Sequence, residues 1–279
     1  MNESDFLFLQ KMKMMNYQEL QELTQKVVKI SQEAGEFLKG EISKISKSDI
    51  EEKGIHDLVT YVDKAAEKML VTALSELLPE AGFIAEEGTS DKKGELYDWI
   101  IDPLDGTTNF IHGVPLYAVS LALRYQDEII LGVIYEPNLK ECFYSWKEAP
   151  SYLNGRIIKV SDTKTVDKAL FATGFPYYDY NRLKEFMSFF EYMMQYSRGI
   201  RRLGTAAMDL AYVACGRYDG FYEYGLRPWD VAAGALIVEN AGGFNMDFKG
   251  GEDYIFGKEI ISVNAHVSEE FLALMKKFF

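Results

Sequence analysis

Cysteine is scarce in this chain. Cys142 and Cys215 are the only two, they lie far apart, and they fit no metal-binding spacing. A disulfide framework and a zinc ribbon are therefore excluded, and both read as reduced core thiols. Histidine is almost as rare, at three, and His56 and His112 stand outside every acidic cluster. No apolar run approaches the length of a membrane span. The opening MNESDFLFLQ carries Glu3 and Asp5 where a signal peptide needs positive charge, and no small-residue cleavage site follows. These absences predict a soluble, cytoplasmic protein. Basic residues are outnumbered, 30 Lys and Arg against 43 Asp and Glu, for a net charge of −13. Such a surface repels nucleic acid and anionic membranes, which need basic patches. It still admits a phosphorylated small molecule, provided that bound cations reverse the sign locally.

What is present is an ordinary globular composition. With 48% hydrophobic residues in 279, the chain can bury a large core, as one α/β unit or two packed halves. The aromatic residues (18 Tyr, 18 Phe and 3 Trp) read as core and interface packing. The first fifteen residues end in KMKMM and read as an added extension, with Met14 or Met15 as the start. Leu20, Leu23, Val27, Ile30, Ala34 and Phe37 recur at helical spacing and predict an amphipathic helix over 17–40. KGEISKISKSDIEEKGIHD has no sustained period and reads as a mobile loop. LVTYVDKAAEKMLVTALSELLP reads as a turn and a helix, with Thr60 three residues before Asp63 in a capping-box-like spacing. GFIAEEG and LYDWIID read as short buried strands that end in acid. PLYAVSLALRYQDEIILGVIYEPNLKECFYSW predicts three antiparallel strands turning at QDE and EPNLK. Beyond residue 150, strands (ALFATGF, YDGFYEYG, EIISVNA) and GIRRLG alternate with helices over 181–196, 205–214 and 228–241, before a C-terminal helix. The pattern predicts a layered α/β protein in two intimate halves, 1–148 and 149–279.

Four acidic clusters share one context: Asp63, Glu86 with Glu87, Asp102 with Asp105, and Asp230 each lie at the boundary of a regular element, where function tends to be placed. Each has a plainer reading. Asp63 can simply cap its helix, Glu86-Glu87 can be a solvated turn, Asp105-Gly106 is a common turn signal, and Asp230 follows Pro228 in a first helical turn that favours any carboxylate. The combination disfavours four accidents. The acids follow apolar runs such as WIID and GFIAEE, where burial without a partner is costly. Two bare carboxylates about 4 Å apart repel by about 4 kcal/mol at an effective dielectric near 20. A shared cation removes that repulsion, and all-oxygen donors favour hard ions, above all Mg²⁺, over zinc. Three or four carboxylates can hold two ions about 3.5–4 Å apart, the spacing of phosphoryl chemistry. GTTN follows directly: if a short helix starts at Gly106, its free N–H groups face an anion, so a phosphate would lie between amides and metals.

WIIDPLDGTTNFIHGVP and PWDVAAGALIVENAGG resemble the two signature motifs of the inositol monophosphatase family of Mg²⁺-dependent, lithium-sensitive phosphatases. DLVTYVD, GFIAEEG and IRRLGTAAMDLAYVACGRYDGFYEYGL match the intervening pattern in order, from about residue 20 to the C-terminus. The resemblance implies the αβαβα sandwich of the inositol monophosphatase and fructose-1,6-bisphosphatase type, with most metal ligands in the first half. It implies a first Mg²⁺ on Glu86, Asp102 and the Leu104 carbonyl, a second shared by Asp102 and completed by Asp105 and Asp230, and a third, looser ion touching Glu86. Asp63, Glu86 and Thr107 would be catalytic, Asp63 and Thr107 orienting or deprotonating the attacking water. Backbone N–H groups of Gly106 and Thr107 would bind phosphate, alongside Asp105 and Asp230. Glu223, with Gly204, Thr205 and Ala206, would contact substrate hydroxyls. Inositol 1-phosphate or a similar small sugar or polyol phosphate is the implied substrate, and inhibition by Li⁺ and a homodimer are further expectations.

Rivals separate on spacing and charge. A haloacid-dehalogenase phosphatase needs one residue between its aspartates, whereas Asp102 and Asp105 have two. Relatives within the superfamily take fructose 1,6-bisphosphate, histidinol phosphate or nucleotide 3′-phosphates. A second phosphate needs a cationic clamp, and Arg198, Arg201 and Arg202 lie before GTAA, although they also suit a surface or subunit contact. Bacterial relatives are implicated in association with transcription complexes, so an additional role through a protein partner is a further expectation.

Overall fold

A computed structural model describes residues 14–45, 50–54, 57–177 and 179–279. The expected extension therefore lies outside the described residues except for Met14 and Met15, which pack on the core, and His56 lies outside them too. Helix α1 (Tyr17–Glu41) opens with a capping box between Asn16 and Glu19 and buries Leu20, Leu23, Val27 and Ala34 on one face. Strands β1 (Ile50–Gly54) and β2 (Asp57–Thr60) then pair antiparallel. This hairpin corrects the loop expected there. IEEKG has no alternating apolar face, so its pairing runs through the backbone and leaves no period to read.

After α2 (Tyr61–Leu77) come β3 (Gly82–Ala85), β4 (Tyr97–Asp105), the short helix α3 (Thr107–Ile111), β5 (Ala118–Tyr125), β6 (Glu128–Glu136), β7 (Glu141–Trp146), β8 (Tyr152–Leu153) and β9 (Arg156–Ile157). The seven strands from β3 to β9 form one sheet in sequence order, antiparallel except where β3 joins β4. The chain continues through β10 (Leu170–Thr173), α4 (Leu183–Tyr196), β11 (Gly199–Arg201), α5 (Ala206–Ala214), β12 (Gly220–Tyr224), α6 (Pro228–Asn240), β13 (Gly243–Met246), β14 (Glu259–Asn264) and α7 (Ser268–Phe278). Here the strand order is β11-β10-β12-β14-β13. The edge strand β13 is only four residues long and its Phe244 is exposed, so it escapes sequence reading.

Both faces of the seven-stranded sheet are covered, so its strands alternate between two cores and read as continuous apolar runs. In β4, Trp99 and Ile101 pack with α1 and α2, while Ile100 joins α5 and α6 on the other side. In β5, Val119, Leu121 and Leu123 divide from Ala118 and Ala122 in the same way. A third core packs Phe171 and Tyr222 of the five-stranded sheet against Phe186 and Phe189 of α4 and Phe271 of α7. The layers thus run helix pair, sheet, helix pair, sheet, helix pair, the expected αβαβα sandwich. Helix α6 lies in the middle layer, and every residue from Val231 to Val238 is buried, which explains its lack of a polar face. Among the described residues no helix is long and apolar enough to cross a membrane.

Ile237, fully buried in that middle layer, sets a test of the packing. Ile237→Ala should lower unfolding free energy by about 2–5 kcal/mol in urea titration, whereas Leu139→Ala at an exposed position should change it by less than about 0.5 kcal/mol. Equal effects would contradict the layer assignment.

Candidate active site

The site forms where β4 ends. Asp102 lies opposite Ser120 and Asp105 opposite Ala118, so three steps along β4 match two along β5. In a regular strand, residues three apart face opposite sides of the sheet. The extra residue at Pro103-Leu104 makes a β-bulge that re-aims Asp105, and Pro103, which has no N–H to donate, is tolerated at such a break. Both carboxylates consequently line one cavity. Asp102 Oδ1 accepts the Leu104 N–H at 2.9 Å, and opposite it the Ser120 hydroxyl donates to the Trp229 carbonyl at 3.1 Å, tying β5 to the start of α6.

Asp63, in the first turn of α2, uses its two oxygens for two tasks. Oδ2 accepts the Thr60 N–H at 2.8 Å and the Thr60 hydroxyl at 2.7 Å. Oδ1 accepts the Thr107 hydroxyl at 3.0 Å. That hydroxyl's one proton is shared with the Leu104 carbonyl, also at 3.0 Å. Capping through Oδ2 therefore leaves Oδ1 for Thr107, and Asp63 stands behind that residue without lining the cavity. One turn further along α2, Glu67 is fully buried and accepts the Glu87 N–H at 2.7 Å and the Thr89 N–H at 2.8 Å. It pins the turn that carries Glu86. Glu67 was missed because a glutamate on a helix usually reads as solvated. Its place among buried Val62, Asp63, Ala66 and Leu70 was the available signal.

The second half of the chain closes the site. Asp105 Oδ2 accepts the Thr205 hydroxyl at 2.6 Å and the Ala207 N–H at 2.7 Å, at the start of α5. Asn109 in α3 donates to the Leu116 and Leu203 carbonyls at 2.8 and 2.9 Å, stitching the same seam. Asp230 Oδ2 accepts the Arg227 N–H at 2.7 Å in the first turn of α6. Glu223, on β12, lays its carboxyl so close over Gly174 that a side chain there would collide with it. The short helix anticipated behind Asp105 is α3, with Gly106 as its N-cap and no side-chain cap. Glu86, Asp102, Leu104, Asp105, Gly106, Thr107, Gly204, Thr205, Ala206, Glu223 and Asp230 all line the one cavity, of about 520 Å³. The same wall includes Gly174, Phe175, Tyr177, Asp209 and Trp229, none of which stood out in the sequence, and Arg202 but not Arg198 or Arg201.

Burial dominates the electrostatics. It pushes Glu86 well above the usual carboxylate range, with Asp230 adding repulsion. Burial, then Glu86, Asp105 and Asp230, does the same to Asp102. Glu86 and Asp102 hydrogen-bond each other, which requires one of them to hold a proton. Burial raises Asp105 to about 6 against its bonds from Thr205 and Ala207, and burial with Asp105 beside it raises Asp230 to about 7. Asp63 is also raised by burial. Among the described residues, no three acidic, His or Cys side chains already enclose a metal position: Glu86 and Asp102 turn to each other, Asp105 to α5, and Asp230 to its own N-cap. The donor set nevertheless fits hard divalent cations. Every group is oxygen, the charges repel, and a cation relieves what protons otherwise must.

Comparison with known proteins agrees with this geometry. Residues 19–277 match the model of the inositol monophosphatase family. The chain is 41% identical over 242 residues to the Nus factor SuhB of Pseudomonas aeruginosa, covering 85% of this chain and 89% of that protein. It is 37% identical over 252 residues to the inositol-1-monophosphatase of Mesorhizobium japonicum, covering 90% and 95%. Among solved structures, the IMPase of Thermotoga maritima superposes with a TM-score of 0.82 at 35% identity, over 90% of this chain and 96% of that one. The extragenic suppressor protein SuhB of Bartonella henselae reaches 0.84 at 38% identity, over 91% and 98%.

Two tests follow from the geometry. Asp105 near 6 and Asp230 near 7 lie above the ordinary carboxylate value, so their stabilisation of the metal-free protein is complete below about pH 4 and is lost as pH rises through those values. Thermal melts in EDTA should fall over that window, and excess Mg²⁺ should flatten the fall; melts indifferent to both would remove the cation site. Glu67→Gln turns an acceptor oxygen into a donor facing an N–H. It should raise the Mg²⁺ concentration for half-maximal phosphatase activity by about 10- to 100-fold, with kcat at saturating Mg²⁺ changed little. A kcat loss without that shift would deny Glu67 its positioning role.

Proposed function

The chain belongs to the inositol monophosphatase family, and from that premise we propose that it is an Mg²⁺-dependent phosphomonoesterase acting on small polyol or sugar phosphates, inositol 1-phosphate foremost. The observation that supports this most is the convergence of Glu86, Asp102, Asp105 and Asp230 with the Leu104 carbonyl on one cavity. In this reading Glu86, Asp102 and the Leu104 carbonyl hold one ion, Asp102, Asp105 and Asp230 hold a second, and Glu86 reaches a third. Such ions, when bound, lower the pKa of a water and neutralise charge on the phosphoryl and leaving oxygens.

The chain's own groups do the rest. A water bonded to Thr107 Oγ1 hands over its proton while the hydroxyl's own proton passes to Asp63 Oδ1, 3.0 Å away. The Thr60 N–H and hydroxyl hold Asp63 in place for that transfer. Backbone N–H groups of Gly106 and Thr107, at the start of α3, bind the phosphate oxygens. Glu223 and the Gly204–Ala206 segment meet the hydroxyls of the leaving group. Water attacks phosphorus directly, with no covalent enzyme intermediate. Lithium sensitivity and a homodimer belong to the same proposal. A second reading, a role through a protein partner, is favoured by the similarity to a Nus factor.

Asp102→Asn should lower Mg²⁺-dependent phosphate release by about a hundredfold or more, since bound metal supplies several kcal/mol of charge stabilisation. Retained activity would exclude Asp102 from the metal set. Phosphate release from inositol 1-phosphate should outpace that from fructose 1,6-bisphosphate, and the reverse order would overturn the substrate assignment. A partner captured equally by Asp102→Asn and native protein would support the second reading.

A further inference from the structure

The cavity wall carries a group that the proposed chemistry does not use. Asp209, in the first turn of α5, is 1% exposed and lines the cavity, yet its Oδ1 has no hydrogen-bond partner in the protein. A buried carboxylate oxygen left without a donor is costly, so native structures rarely keep one except for function. Two further groups share its wall. Glu223 rests on Gly174, and the Arg202 guanidinium carbon sits 5.5 Å from the Phe175 ring centre and 5.4 Å from that of Tyr177. Arg202 Nε is also buried without a partner. Arg202 and Arg227 share this lining with Asp209 and Glu223, and the free oxygen among them is an acceptor waiting for a donor.

We propose that Asp209 is a specificity-determining residue: its Oδ1 accepts a hydrogen bond from a hydroxyl of the leaving group and, with Glu223, selects an uncharged, hydroxyl-rich polyol over a substrate bearing a second phosphate. A hydroxyl donates and brings no charge, so it satisfies the orphaned oxygen. A phosphate dianion offers only acceptors, so in the same place it donates nothing to Asp209 Oδ1 and leaves that oxygen unsatisfied. Arg202, held by its aromatic stack, balances part of the acidic charge and orients toward the same hydroxyls. The inference rests on the phosphomonoesterase reading above and names the residue that would set its substrate class.

The test compares kcat/KM in Mg²⁺ for inositol 1-phosphate and for cyclohexyl phosphate, the same ring without hydroxyls. Native protein should strongly prefer the first, because a site built to bind hydroxyls rejects an analogue that lacks them. Asp209→Ala should shrink that preference by about tenfold or more, as loss of a hydrogen bond to a charged group implies. Asp209→Asn, isosteric and uncharged, should shrink it less and raise the relative rate on fructose 1,6-bisphosphate. A merely structural Asp209 would lower both esters together; that unmoved ratio overturns the proposal. So does a native enzyme that treats the two esters alike, whatever the variants do. A native protein that hydrolyses neither ester in Mg²⁺ sinks the phosphomonoesterase reading itself, and the inference falls with it.

Discussion

The rest of the structure is arranged around a repulsion. Glu86, Asp102, Asp105 and Asp230 are brought from four places in the chain into one cavity, where burial makes each carboxylate's charge expensive and each neighbour makes it more so. A fold that only had to be stable would not assemble them. Without cations the group copes by holding protons: Glu86 and Asp102 bond to one another, and Asp230 is held near 7. In the proposed chemistry hard cations would take the place of those protons.

Such a cluster persists only on a stiff frame. The three buried cores leave the strand ends little room to relax, and several polar links at the seam run between segments distant in sequence. Asp105 reaches Thr205 and Ala207, Asn109 reaches Leu203, and Ser120 reaches Trp229. Glu67 does the same for the turn after β3. These bonds hold the acids close enough to share ions, and they join the two sheets at the point where the reaction is proposed. The wall at Asp209 differs in kind: there Oδ1 is left without a partner instead of being locked to the protein.

Much of this was legible beforehand because it is local. Continuous apolar runs bounded by turn residues marked β5, β6 and β7, period-3.6 stripes marked α1 and α2, and capping residues marked where helices begin. The acids were legible as a set because each follows an apolar run. The β1–β2 hairpin was not legible, since Glu51, Glu52 and Lys53 carry no apolar pattern to betray a strand. Glu67 and Asp209 were hidden for another reason: each sits on a helix where an acid is unremarkable until its surroundings are known.

The amino-acid order alone determined the main helices and the central strands, and which acids end them, because propensity, period and charge are properties of neighbouring residues. Only the tertiary structure decided that a bulge at Pro103-Leu104 turns Asp105 to the side of Asp102. It alone decided that Thr107 stands between Asp63 and the cavity, and that Asp209 is left with an empty oxygen beside Glu223 and Arg202. Those outcomes depend on register and on distances between residues far apart in the chain, and no local pattern encodes a distance.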